Sequence, residues 1–148
     1  YETPFGSVVR SGFDGEDVPS LRYAHVGGQT LDGKPMGFTL LNDCKYGHAC
    51  EHTSLRLRVI RSSFDPDHAP EVCRQTLRYS LVFHDGAQNP SELTRLGAAF
   101  NHPLIAFPAN LGGGTGAAPS ASFARVESPG VVLTSLKRGE DGGIVLRL

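Results

Sequence analysis

The chain has 148 residues, about one domain's worth, enough to bury roughly two-thirds of its unfolded surface. Its 14 Lys and Arg nearly balance 15 Asp and Glu, which excludes a global field that would draw it onto nucleic acid or an anionic membrane. No apolar run approaches the roughly 18 residues of a membrane span, and no segment has a signal-peptide pattern, so neither a nucleic-acid nor a membrane partner is expected.

Along the chain, Gly12 to Pro19 is acidic and Gly-rich and reads as a turn between two strands. Phe38 to Leu41 is an apolar run that reads as a short buried strand, ended by a turn of Asn42, Asp43 and Gly47. A strand that delivers Asn42, Asp43, Lys45 and Tyr46 to one rim holds them rigidly, as a polyol-binding or acid-handling site needs. Leu55-Arg56-Leu57-Arg58-Val59 alternates apolar with basic, the pattern of a half-buried antiparallel strand. Residues 62–70 hold too many breakers for regular structure. Leu77, Tyr79, Leu81 and Phe83 then share one strand parity, while Thr76, Arg78, Ser80 and His84 share the other.

Only Ser91 to Ala99 has a helical pattern, with Ser91 as the expected N-cap after Pro90. Asn110 to Ser120 is the most flexible segment by composition. Its glycines are not a phosphate-binding loop, because the third glycine, the following helix and a P-loop Lys are all missing. Val131 to Leu136 and the closing Ile144 to Leu148 are two more strands, with hairpin-turn chemistry from Lys137 to Gly143. The chain opens without methionine and closes on a strand cut off in mid-course, so a processed or truncated chain is expected. Many short strands punctuated by Gly and Pro make an all-β sandwich with at most one short helix, over a single domain at 1–148.

The chemistry-bearing residues outside the Asn42–Tyr46 turn form few patterns. Cys44, His48, Cys50 and His52 share one parity, and thiolate and imidazole are ligands that zinc prefers. Four ligands from one extended segment cannot wrap an ion, however, and Gly47 is expected to break the strand, so no metal is assigned. The six histidines lack the local company of a nucleophile elbow, and Asp65 and Asp67 flank Pro66 as solvated turn residues. No catalytic residue is assigned. Arg56, Arg58 and Arg78 form a basic stripe that is either solvated or turned toward an acidic partner domain. Three cysteines, an odd count without a CxxC pair, fit reduced thiols and a cytoplasmic location; one disulfide with a spare thiol is the extracellular alternative.

Leu40-Leu41-Asn42-Asp43-Cys44-Lys45-Tyr46-Gly47 resembles the Leu-Leu-Asn-Asp-Cys-Lys-Tyr-Gly signature of family 38 glycoside hydrolases, the zinc-dependent α-mannosidases. Further pieces follow in order. Thr3 to Val8 with Arg10 resembles the family's Pro-Phe-Gly opening of this region, and Glu16 to Pro19 its acidic residue before a proline. Leu55 to Arg61 with Asp65-Pro66-Asp67 is similar to its Leu-Arg-Leu-Ser-Leu-Leu-Arg run and Pro-Asp loop. Leu77 to Leu81 with His84 and Gly86 resembles its Tyr-Ala-Leu segment, with Phe83 where proline is usual. Asn101 to Leu104, Ser122-Phe123 and Val131 to Leu136 with Lys137, Glu140 and Asp141 complete the likeness. Departures lie at Cys50 to Ser54, Val72 to Arg74 and the glycine loop.

The resemblance implies a supersandwich-like, galactose-mutarotase-like β-domain from the C-terminal half of a larger α-mannosidase. Its partners are then the N-terminal catalytic domain of the same polypeptide and a mannose-containing glycan. That catalytic domain, not this chain, supplies the zinc and the carboxylate nucleophile of a retaining glycosidase, whose two carboxyl groups stand about 5 Å apart. Asp43 and Lys45 are implied to hydrogen-bond a sugar hydroxyl or hold a catalytic carboxylate, with Asn42 and Tyr46 supporting the turn. Two alternatives are a stand-alone carbohydrate-binding β-sandwich, which the absence of Trp and a total of only four Tyr disfavour, and a purely structural domain that docks the catalytic half without contacting sugar.

Overall fold

In the computed structural model of the protein the described residues are all except 11, 13–15, 52–53, 62–63, 70–71 and 109–119. They divide into two units, Tyr1–His102 and Pro103–Leu148. The first unit runs β1 (Glu2–Thr3), β2 (Gly6–Ser7), β3 (Val18–Pro19), β4 (Tyr23–Gln29), β5 (Pro35–Asn42), β6 (Gly47–Glu51), β7 (Ser54–Arg58), β8 (Tyr79–Asp85) and α1 (Pro90–Asn101). The second holds β9 (Ser135–Arg138) and β10 (Ile144–Arg147). The described structure is thus mostly antiparallel β with one helix, the all-β, sandwich-like class that the strand periodicity predicts.

The apolar run around Phe38 becomes β5, the middle strand of a β4-β5-β8 sheet. Tyr23 pairs with Leu41 on one side, and Leu40 with Leu81 on the other. A second three-stranded sheet has the order β3-β6-β7. One face of the first sheet is covered by α1. Tyr23, Leu41 and Leu93 are buried against each other, with Val82, Leu96 and Phe100 packed around them. The helix approaches closely because Gly97 has no side chain: a Cβ there would stand 3.1 Å from Cβ of Arg22 and 3.3 Å from the Tyr23 ring.

The N-terminal segment is tied to this core by polar groups taken out of water in matched sets. The buried Glu2 carboxylate accepts from the Arg22 backbone N–H (2.8 Å) and pairs with the Arg22 guanidinium. The Ser20 hydroxyl accepts from the Glu2 N–H (3.0 Å) and donates to the Tyr23 carbonyl. A buried pair of this kind loses far more when one partner is removed than it contributes beyond an apolar replacement.

Several local expectations change. Gly47 does not break a strand; it opens β6, opposite Arg58, because the turn is complete two residues earlier. Val18 and Pro19, read as loop, pair with His48 and Gly47 at the edge of the second sheet; residues 13–15 of that loop lie outside the described residues. The helix is capped by Asn89, whose side chain accepts from the Ser91 N–H at 3.0 Å, with Pro90 at the first helical position; Ser91 itself is buried inside the helix. In the second unit the β9–β10 hairpin closes as its turn residues predict, Ile144 opposite Arg138, but Val131 to Thr134 stay outside the strand. The glycine run 112–116 and Ser62-Ser63 lie outside the described residues. Among the described residues no helix is long and apolar enough to cross a membrane.

The parity of β8 is as predicted, yet its apolar side is the one facing solvent: Tyr79, Leu81 and Phe83 are exposed, while Ser80, Val82 and His84 are partly buried. On β7 the alternation runs as expected, with Leu55 and Leu57 half-buried and Arg56 and Arg58 exposed. The core reading predicts that Leu93→Ala costs about 2–4 kcal/mol by leaving a cavity. Asn89→Ala should cost about 1 kcal/mol through the lost cap. Urea unfolding followed by far-UV circular dichroism checks both, and equal effects would contradict this division between core and cap.

Candidate functional site

The turn after β5 is built around Asn42, which is 1% exposed. Its Oδ1 accepts from the Lys45 N–H at 2.9 Å, which closes the turn, and its Nδ2 donates to the Leu21 carbonyl at 3.2 Å. Its own N–H donates to the Arg22 carbonyl (3.0 Å), and its carbonyl accepts from Nδ2 of Asn101 at the end of α1 (3.0 Å). One buried residue thus joins the central strand, the segment before β4, the helix and the turn. Asn42 thus holds the turn from a position closed to solvent.

Asp43 faces the opposite way, across to the approach of β8. Its Oδ1 accepts from the Arg78 N–H and its Oδ2 from Arg78 Nε, both at 3.1 Å. Those bonds, led by the backbone N–H and joined by the Cys44 thiol, hold its pKa down at about 2, so it is a fixed anion rather than a proton carrier. The same contact pushes the Cys44 thiol up, away from the thiolate form. Arg78 also lies over the Phe100 ring, 5.6 Å from its centre.

Lys45 is half-buried, and its Nζ donates to Oε1 of Gln75 at 3.3 Å. Among the described residues it has no carboxylate partner. Tyr46 is 55% exposed, while its carbonyl accepts from the Ser20 N–H (2.8 Å) and lies 3.1 Å from His48 Nδ1. Its side chain lines a cavity of about 380 Å³ together with Pro4, Arg10, Pro19 and Leu21. The four residues singled out in the sequence therefore separate into two roles: Asn42 and Asp43 lock the turn, and Lys45 and Tyr46 present a cation and an aromatic surface from it.

Two contributors were not legible in the sequence. Gln75 and Arg78 come from a distant segment, and only strand pairing brings them to the turn. The stripe Arg56, Arg58 and Arg78 is not free positive charge, since its members pair with Glu51 (2.5 Å), Asp17 (2.8 Å) and Asp43 (3.1 Å).

Histidines scattered in sequence also converge. His25 on β4 and His84 on β8 flank Thr39 on β5, whose buried hydroxyl lies 2.9 Å from His25 Nδ1 and 2.7 Å from His84 Nε2. The His25 ring fits because Gly37 beside it has no side chain; a Cβ there would come within 2.7 Å of His25 Cε1. His25 and Tyr23 line a cavity of about 270 Å³ together with Val8, Val9 and Arg10. The sequence signal for this cluster was present only as matching strand parity, which becomes informative once the register is known.

Of the residues weighed for zinc, the three described ones, Cys44, His48 and Cys50, do not come together as a ligand set. His48 is fully buried with Nδ1 turned to the Tyr46 carbonyl, Cys50 follows it on β6, Cys44 stands outside the strand beside Asp43, and His52 lies outside the described residues. Among the described residues no group of three or more His, Cys, Asp and Glu side chains is placed to hold a metal ion. All three cysteines are free.

Burial, the largest cause, lowers the pKa of both His25 and His48, with His84 adding repulsion at His25. A group held below its unfolded value of about 6.5 favours the folded state above that pH. The stability is then lost as the pH falls through 6.5 toward the folded-state value. The Tm should fall between about pH 7 and pH 5, and His25→Gln should flatten that slope; a Tm that does not change over this range contradicts it. Asp43 acts at lower pH, because its stabilisation, present above about 3.9, is lost as the pH falls toward about 2.

Comparison with known proteins gives one consistent answer. Over 100% of its length the chain is 31% identical to "Alpha-mannosidase 2C1" of Homo sapiens, of which it covers 14%. It is 30% identical to "Alpha-mannosidase 2C1" of Mus musculus over 95% of the chain, and 29% identical to "Alpha-mannosidase" of Saccharomyces cerevisiae over 98%. It covers 13% of each of those two relatives. No protein-family model matches the chain, and no solved structure matches it.

Proposed function

Because the chain corresponds to one segment of the family 38 α-mannosidases, we propose that it is an accessory β-domain of a zinc-dependent, retaining α-mannosidase. In this reading it packs on the catalytic domain and places the Asn42–Tyr46 turn at the active-site rim. The zinc and the catalytic carboxylates belong to the other part of the polypeptide, and this chain alone hydrolyses nothing. Its free thiols support a reducing, cytoplasmic location.

The observation that carries the rim assignment is Lys45. A half-buried ammonium whose only hydrogen-bond partner named among the described residues is an amide oxygen has donors to spare. It sits on a turn that the side chains of Asn42 and Asp43 hold still. Such a preorganised cation fits a sugar hydroxyl or a catalytic carboxylate, and Tyr46 beside it offers an apolar face to a pyranose ring. Asp43 contributes by fixing Arg78 and the turn, and its remaining lone pairs are free to accept a sugar hydroxyl.

In the full-length polypeptide, Lys45→Ala should lower kcat/KM on an aryl α-mannoside by on the order of 10–100-fold, the loss of one hydrogen bond to a charged donor. Asp43→Ala should lower it similarly, with a loss of Tm that Lys45→Ala does not cause. Unchanged kinetics in both variants would remove the turn from the rim. Hydrolysis by the isolated chain would overturn the accessory assignment itself.

A further inference from the structure

We infer that the cavity beside His25 is a binding site for a small organic monocarboxylate. Its walls come from three places in the first unit: the N-terminal segment, β4 and the start of α1. Tyr23, His25 and Gly27 alternate along β4, so they share the face that α1 covers. Tyr23 packs there against Leu93 of the helix. Past His25 the next position on this face is a glycine, and the space stays empty. A Cβ at position 27 would meet only His25 Nε2, at 3.6 Å. The cavity of about 270 Å³ that remains has room for one small molecule.

The chemistry of the walls selects the ligand. None of the lining residues is acidic, while Arg10 brings a guanidinium that has no ion-pair partner among the described residues. His25 brings a second donor. Its Nδ1 lies 2.9 Å from the Thr39 hydroxyl, which lies 2.7 Å from His84 Nε2. When His84 donates to the Thr39 oxygen and Thr39 donates to His25 Nδ1, the His25 proton sits on Nε2, the nitrogen on the Gly27 side. A neutral imidazole then donates toward the cavity, its tautomer set by a chain that starts on β8. Gln88, in the loop before α1, adds an amide. One guanidinium fork with neutral donors around it balances one negative charge and matches the two oxygens of a carboxylate. A phosphate dianion would need a second cation. Val8, Val9, Pro90 and Leu93 supply apolar wall, so the body of the ligand is apolar.

Benzoate is the probe, with benzamide as its uncharged counterpart of the same shape and inorganic phosphate as an anion without an apolar body. Titrated into the full-length polypeptide and followed by calorimetry, benzoate should bind with a Kd below about 10 mM, about tenfold or more tighter than either control. Arg10→Gln removes the charge and Gly27→Val fills the space, and each should weaken binding by about tenfold or more. Arg10 is exposed and the first atom added at position 27 meets no backbone, so both variants should keep the parental Tm. No benzoate binding, or equal binding of benzamide, overturns the inference. Binding that neither variant weakens lies elsewhere and overturns it too. Phosphate bound as tightly as benzoate rejects the monocarboxylate. Benzoate bound by residues 1–148 alone but not by the full-length polypeptide means that other residues fill the cavity, which also overturns the site. Neither the site nor its test draws on hydrolysis. A polypeptide that cleaves no α-mannoside, yet loses benzoate binding in both variants, keeps this site and rejects the proposed activity instead.

Discussion

The buried amide of Asn42 is the joint on which the first unit depends. It sits where four pieces of backbone meet: the end of β5, the segment leading into β4, the last turn of α1 and the turn that follows. Each hydrogen bond there contributes only about 1 kcal/mol net, but a buried amide left unpaired costs about 1–3 kcal/mol. The arrangement is therefore close to all-or-none. Any shift of helix, strand or turn that breaks one bond strands a polar group that water does not reach.

The two faces of the central sheet are set against each other. Toward α1 it carries Tyr23 and Leu41 at one end and the His25–Thr39–His84 chain at the other, so part of the covered face is polar and hydrogen-bonded. Away from α1 it carries Phe38, Leu81 and Phe83. Burial, with repulsion from His84 added, lowers the pKa of His25 and favours its neutral ring on this covered face. The apolar face is favourable only beside an apolar neighbour. One sheet thus carries a pH-sensitive side and an exposed apolar side.

The site inherits its rigidity from this frame. Asp43 reaches across to the start of β8 through Arg78, which in turn lies over Phe100 of the helix, so the turn is braced from both of its flanks. Lys45 and Tyr46 are then presented by a backbone that has little freedom left. Rigidity of this kind is what converts a charged side chain on a loop into a positioned one.

Much of this was written in the residues themselves. The period-two alternation of Leu55 to Val59 and Leu77 to Phe83 determined strands there, and the apolar run before Asn42 determined the central strand. Turn chemistry around Gly139 to Gly143 determined the second unit's hairpin, and the Leu-Leu-Asn-Asp-Cys-Lys-Tyr-Gly segment pointed to the α-mannosidases that the comparisons returned. These are local signals, carried by side-chain spacing along one stretch. Only the tertiary structure decided that Asn89 rather than Ser91 caps the helix, that Gly47 opens a strand, and that the apolar parity of β8 faces outward. It alone brought Arg78 to Asp43, Gln75 to Lys45, and His25 to His84 through Thr39. Alternation along a strand states that two faces differ; which of them is covered depends on partners distant in sequence, and so on the register and packing of the whole sheet.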